Sequence, residues 1–134
     1  AGPGATNALP GLAEAFVDSA PIMIISGQVE TEHTTYNSKL PLRTYGTAEI
    51  NIIPIVKPLT KYAKFLDNPN DVQYVLEKAY HAAISGRPGP VWIDIPLDVQ
   101  GISLDVDNLR HYEPPPKVIE EIQGLDKFIK TFDI

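Results

Sequence analysis

The sequence predicts an α/β fold, a parallel sheet flanked by helices and followed by a linker and a further helix, on three observations. Ile22-Met23-Ile24-Ile25 and Val91-Trp92-Ile93-Asp94-Ile95 are short, mostly apolar runs rich in β-branched residues and bounded by proline and glycine, the pattern of strands buried on both faces. Residues 70–86 carry the firmest helical pattern, immediately before the second run. The order strand, connection, strand, helix, strand is the one in which right-handed crossovers lay helices over a parallel sheet. Ligands of such sheets bind at the carboxyl ends of the strands, which here are Ser26-Gly27-Gln28 and Asp94-Ile95-Pro96, together with the opening Gly2-Pro3-Gly4-Ala5-Thr6-Asn7 turn.

Each element has a local reason. Leu9, Leu12, Ala13, Phe16 and Val17 fall on one helical stripe, so a helix is expected from near Asn7 to Asp18. Thr6 or Asn7 would cap it, with Pro10 in its first turn, where a missing amide proton does no harm. The first strand follows Pro21. Residues 28–47 are polar and aperiodic, a loop long enough to be expected to serve function. A helical turn is expected around Glu49 to Ile53, then a short strand from Thr60 to Leu66. Asn70 and Gln73 have capping-box spacing, Val72, Val75, Leu76, Ala79 and Ala83 share a face, and Gly86 supplies a left-handed stop. Arg87-Pro88-Gly89-Pro90 then turns the chain into the last strand. Residues 101–116, acidic and ending in Pro114-Pro115-Pro116, read as a linker, and 117–134 carries helical spacing.

Composition narrows the function. The 134 residues carry a net charge of −6, which argues against binding the phosphate backbone of nucleic acid. No apolar run reaches the roughly 18 residues of a membrane span, so a soluble protein without membrane partners is expected, and the absence of cysteine, which suits a reducing compartment, makes the cytoplasm its expected location. With no cysteine there is no disulfide, thiolate zinc site or thiol nucleophile. His33, His81 and His111 are widely spaced and show no metal-ligand pattern; only His33, in the polar loop with Glu30 and Glu32, has some claim on a site. There is no GxSxG elbow, GxxxxGK[ST] loop or GxGxxG fingerprint. The GPGATN turn leads straight into a helix whose free amides suit an anion or a polar heterocycle, although a glycine turn with an Asn cap explains the same six residues. Glu49, an isolated acid before an apolar stretch, reads equally as a helix-start carboxylate or a site residue.

Four segments in order, GPGATN, DSAPIMIISGQV (18–29), KPLTKYA (57–63) and SGRPGPVWIDIPLDVQ (85–100), resemble the thiamine-diphosphate-dependent enzymes of the acetolactate synthase type. The resemblance implies that residues 1–100 are the later part of the amino-terminal, pyrimidine-binding domain, with 101–116 a linker and 117–134 the start of a central domain. It implies that Pro3, Gly4 and Asn7 line the pyrimidine ring of thiamine diphosphate, and that Gln28 and Glu49 belong to the substrate pocket or a subunit interface. No catalytic residue is expected in the chain: the family's glutamate lies upstream of it, and the GDG motif that holds the diphosphate through Mg²⁺ is absent. The piece alone is therefore expected to be inactive, both of its ends reading as cut.

The activity implied for the whole is decarboxylation of a 2-keto acid such as pyruvate and carboligation to a second one, in a homo-oligomer that in some members also carries FAD. Two departures bear on the acceptor: Ala48-Glu49 stands where such enzymes keep a Gln-Glu pair, and the loop between Gln28 and Ala48 is longer. Two other readings stay open, a decarboxylase or carboligase for other 2-keto acids and a catalytically empty assembly module. An incomplete sheet would leave an unpaired edge, so the isolated piece is expected to self-associate or to be marginally stable.

Overall fold

A computed structural model describes residues 2–38, 40–116 and 131. Its centre is a three-stranded, fully parallel sheet of β1 (Met23–Gln28), β2 (Tyr62–Phe65) and β3 (Val91–Pro96), in the order β1-β3-β2. Met23 and Tyr62 flank Val91 in register, and Ser26 and Phe65 flank Asp94. The sheet is sandwiched. On one face, Val91 and Ile93 pack with Leu66, Val99 and the buried stripe Val75, Ala79 and Ala83 of α3 (Val72–Ile84). On the other, Trp92 packs with Leu12 of α1 (Leu9–Val17), Ile52 and Val56, the last of these in α2 (Ile53–Val56). Alternation along β3 thus sends odd residues to one core and even residues to the other. A short α4 (Leu97–Gln100) follows β3 directly.

Several local expectations change. The GPGATN segment is not a turn followed by a capped helix but a 3-10 helix, Gly2–Ala8, continuous with α1. Neither Thr6 nor Asn7 caps α1; the Thr6 hydroxyl donates instead to the Pro3 carbonyl at 2.6 Å. Pro10 does sit in the first turn, as expected. The turn expected at Glu49 to Ile53 forms later, as α2, because Ala48 takes a positive φ of 57° that no helix accommodates, and Pro54 occupies the first turn. Asn68, not Asn70, caps the approach to α3: its side chain accepts the Asn70 amide at 3.1 Å, and Gln73 donates to Glu77 rather than closing a capping box. Gly86 has φ +57°, the left-handed stop expected of it. β1 is not buried on both faces: among the described residues it pairs with β3 alone, and Ile25 is 55% exposed.

The segment expected to be a linker folds back in part. The Arg110 guanidinium lies 3.8 Å from the centre of the Tyr74 ring and pairs with Asp71 at 3.0 Å. Glu77 accepts the Tyr112 amide at 2.7 Å and faces His111 at 2.9 Å. That backbone bond, with the Gln73 and His111 contacts, lowers the Glu77 carboxyl below its ordinary range. The helix expected over 117–134 lies outside the described residues except for Thr131. Among the described residues no helix is long and apolar enough to cross a membrane.

Candidate functional site

The carboxyl ends of β1 and β3 carry a buried polar cluster. Ser26, Gln28, Trp92 and Asp94 lie on one face of the sheet by the two-residue alternation of strands, and the parallel register sets Ser26 against Asp94. The Trp92 indole donates to the Ser26 hydroxyl at 2.8 Å, which donates to Asp94 Oδ1 at 2.5 Å. Gln28 Nε2 donates both to Asp94 Oδ2 at 3.1 Å and to the Ile50 carbonyl at 2.8 Å, while Gln28 Oε1 accepts the Val29 amide at 3.0 Å. Every buried polar side-chain atom among the described residues has a partner.

Asp94 is the acid at the centre. Burial raises its carboxyl above the ordinary 3.8, against the hydrogen bonds from Ser26 and Gln28, which favour the carboxylate, and with help from the negative charge of Glu49. Raised in the fold, the group contributes stability that is complete below pH 3.8 and lost as pH rises through its folded value. The expected result is a melting temperature that falls over that window in the wild type and less in Asp94→Asn; thermal melts across an acid pH series measure it, and parallel curves would refute the assignment.

Glu49, 4% exposed, is also turned inward. Thr35 Oγ1 donates to its Oε1 at 2.7 Å, and the Tyr45 amide to its Oε2 at 3.2 Å. Glu49 thereby ties two distant points of the 28–47 loop together. Thr31 fastens the same loop to α4 through its amide and hydroxyl, 2.9 and 3.0 Å from Asp98 Oδ1. Tyr36 stacks on Phe65 with ring centres 4.3 Å apart. The long loop is thus folded down over the strand ends, where it borders an open pocket of about 420 Å³ lined by Val29, His33, Tyr45, Thr47 and Leu97 among others.

The GPGATN segment meets this cluster through its first residue. Gly2, at φ +58°, is buried against the Ala48 carbonyl, so closely that a Cβ there would stand 1.5 Å from the oxygen. Ala5 and Ala8 pack toward Trp92 and Leu12. Pro3, Gly4 and Asn7 are all exposed, and a Cβ on Gly4 would meet nothing within 4 Å. The structure thus joins the segment of Pro3, Gly4 and Asn7 to that of Glu49, and Gln28 to Glu49 through Ile50. Pro3, Gly4 and Asn7 are exposed, whereas Gln28 and Glu49 are buried.

Glu30, Glu32 and His33 bring one ligand atom each within 4.8 Å of one another, all exposed, and the imidazole is paired with Glu30 at 3.0 Å and Glu32 at 3.7 Å. Sequence reasoning missed Asp94, Ser26 and Trp92 as a unit. The available signal was the single acid in an otherwise apolar strand, since a carboxyl group in such a run needs donors to meet it.

The comparisons with known proteins agree with this architecture. The family description "thiamine pyrophosphate enzyme, N-terminal TPP binding domain" matches residues 1–55. The chain is 44% identical over 117 residues to an acetolactate synthase large subunit of Corynebacterium glutamicum, covering 87% of this chain and 16% of that protein. It is 41% identical over 104 residues to an acetolactate synthase of Arthrospira platensis, 78% of this chain and 17% of that one. To the large subunit of acetolactate synthase isozyme 3 of Escherichia coli K12 it is 40% identical over 98 residues, 73% and 16% of the respective chains. The chain therefore spans about one sixth of the length of these relatives.

Proposed function

As the chain belongs to the thiamine-diphosphate-dependent enzymes of the acetolactate synthase type, we propose that residues 1–100 form the later part of a pyrimidine-binding domain in an enzyme that decarboxylates pyruvate and ligates the product to a second 2-keto acid. The observation that carries this reading is the open face of the 3-10 segment. Pro3, Gly4 and Asn7 are exposed, and the space beside Gly4 is filled by no side chain of the described residues. The residues present fit a flat heterocycle: Gly4 lets a ring approach the backbone, Pro3 offers an apolar edge, and Asn7 offers amide donors and an acceptor. Thiamine diphosphate, when bound, supplies the carbanion-stabilising chemistry. The chain's part is placement. Its wall orients the ring, while Gln28 and Glu49 hold the bend and the loop that border the pocket.

On the same reading residues 101–116 lead to a central domain beginning near residue 117. Mg²⁺ with the diphosphate, the catalytic glutamate, and FAD where one is carried belong to parts of a cytoplasmic homo-oligomeric enzyme outside residues 1–116. The exposed Glu30, Glu32 and His33 group, already paired within itself, has no part in this assignment.

Calorimetric titration of the intact enzyme with thiamine diphosphate tests the wall. Gly4→Ala and Gly4→Leu are expected to weaken binding progressively, on the order of tenfold or more for leucine, with the melting temperature unchanged, since a Cβ there meets no atom of the described residues within 4 Å. Equal affinity across the series would sink the reading. A second reading, a different acceptor keto acid, is favoured by Ala48, whose methyl and left-handed backbone stand where the resemblance expects a glutamine. Product analysis with pyruvate alone and with competing keto acids separates the two.

A further inference from the structure

We propose that Asp94 is a positioning residue for the pyrimidine wall, acting through Gln28 to hold the 48–50 bend against which Gly2 rests. The proposal rests on the reading of the GPGATN face given above. Its basis is the direction of the hydrogen bonds. Asp94, 1% exposed, receives donors on both oxygens, from Ser26 and from Gln28, so its acceptor character dictates which way the Gln28 amide points. With Nε2 turned toward Asp94, the second hydrogen of the same NH₂ reaches the Ile50 carbonyl at 2.8 Å, and Oε1 is left to accept Val29. Ile50 lies two residues beyond Ala48, whose carbonyl contacts Gly2. A carboxylate that never touches the cofactor thus decides where the wall stands.

The substitutions that follow separate this role from simple stabilisation. In Asp94→Asn the new amide must face one partner that is itself a donor. If Gln28 turns over to accept it, Oε1 meets the Ile50 carbonyl, two acceptors oppose each other, and the bend is released. Adding Gln28→Glu restores every hydrogen bond but one. The introduced asparagine donates to the introduced carboxylate and accepts from Ser26, the Val29 amide donates to that carboxylate, and only the Ile50 carbonyl is left without its donor. Ser26→Ala does the reverse, weakening the hold on Asp94 while leaving the Gln28 link to Ile50.

The experiment measures thiamine diphosphate affinity and melting temperature in parallel on the intact enzyme. Expected are a wild type that binds, Asp94→Asn with a lower melting temperature and a dissociation constant raised on the order of tenfold, and a double variant whose melting temperature recovers while its affinity does not. Ser26→Ala is expected to melt lower yet bind within about twofold of the wild type. Unchanged affinity in Asp94→Asn, or recovery of affinity along with stability in the double variant, would overturn the inference alone. A wild type that does not bind thiamine diphosphate would overturn the functional reading and this inference with it.

Discussion

Replacing Gly2 with alanine is expected to destabilise the intact enzyme by about 2–5 kcal/mol and to remove measurable thiamine diphosphate binding, the sum of a left-handed backbone and an overpacked contact. The two costs are separate. At φ +58° an L side chain is held close to its own carbonyl, worth roughly 1–2 kcal/mol. The new methyl would also stand 1.5 Å from the Ala48 oxygen and 2.7 Å from its carbonyl carbon, distances that only backbone movement relieves. Ala48 is itself left-handed and followed by the anchored Glu49, so that movement spreads to the bonds from Thr35, Tyr45 and Gln28. Urea denaturation reads the stability, calorimetry the binding. The contrast with Gly4 is the sharper check: two glycines two residues apart, one packed on backbone and one facing open space, should separate folding from binding. A Gly2→Ala protein with a wild-type midpoint would mean that the contact is not made.

The sheet was legible in the sequence because its signals are local and redundant. Val91-Trp92-Ile93 lacks polar alternation since β3 is the central strand with a helix layer on each face, and the α3 stripe of Val75, Ala79 and Ala83 is the buried one. What was not legible depended on partners far along the chain. β1 shares the apolar composition of β3, yet its position at the sheet edge leaves Ile25 exposed, and composition does not encode strand order. The capping patterns at Thr6 and Asn70 failed where a neighbouring group competed: the Pro3 carbonyl took the Thr6 hydroxyl, and Asn68 reached the Asn70 amide first. Glu49 was singled out for standing before an apolar stretch, but its partners, 14 and 4 residues away, decide that it ties the loop. Asp94 was hidden for the same reason, since Ser26 lies 68 residues earlier and only the parallel register brings them together.

Trp92→Ala is expected to cost about 3–5 kcal/mol, enough to unfold a domain of ordinary stability of about 5–15 kcal/mol under mild denaturant. The residue is wholly buried, in the cluster with Leu12, Ile52 and Val56, so truncation opens a cavity where α1 and α2 meet the central strand. That cavity would not collapse easily, because the strand beneath it is hydrogen-bonded to neighbours on both sides. Phenylalanine divides the effect. It keeps most of the ring volume but removes the indole donor, leaving the Ser26 oxygen, fixed by its own short bond to Asp94, without the proton it accepts. The expected loss is about 1–3 kcal/mol, the cost of a buried polar group left unmet together with a small void. Equilibrium unfolding in urea distinguishes the two substitutions: a negligible loss for phenylalanine would assign the tryptophan to packing alone, and a loss equal to that of alanine would assign it to the indole hydrogen bond. A smaller loss for phenylalanine, with cofactor affinity retained, is the pattern required if Trp92 supports the Asp94 cluster from behind while Gln28 carries its connection to Ile50 and the opening segment.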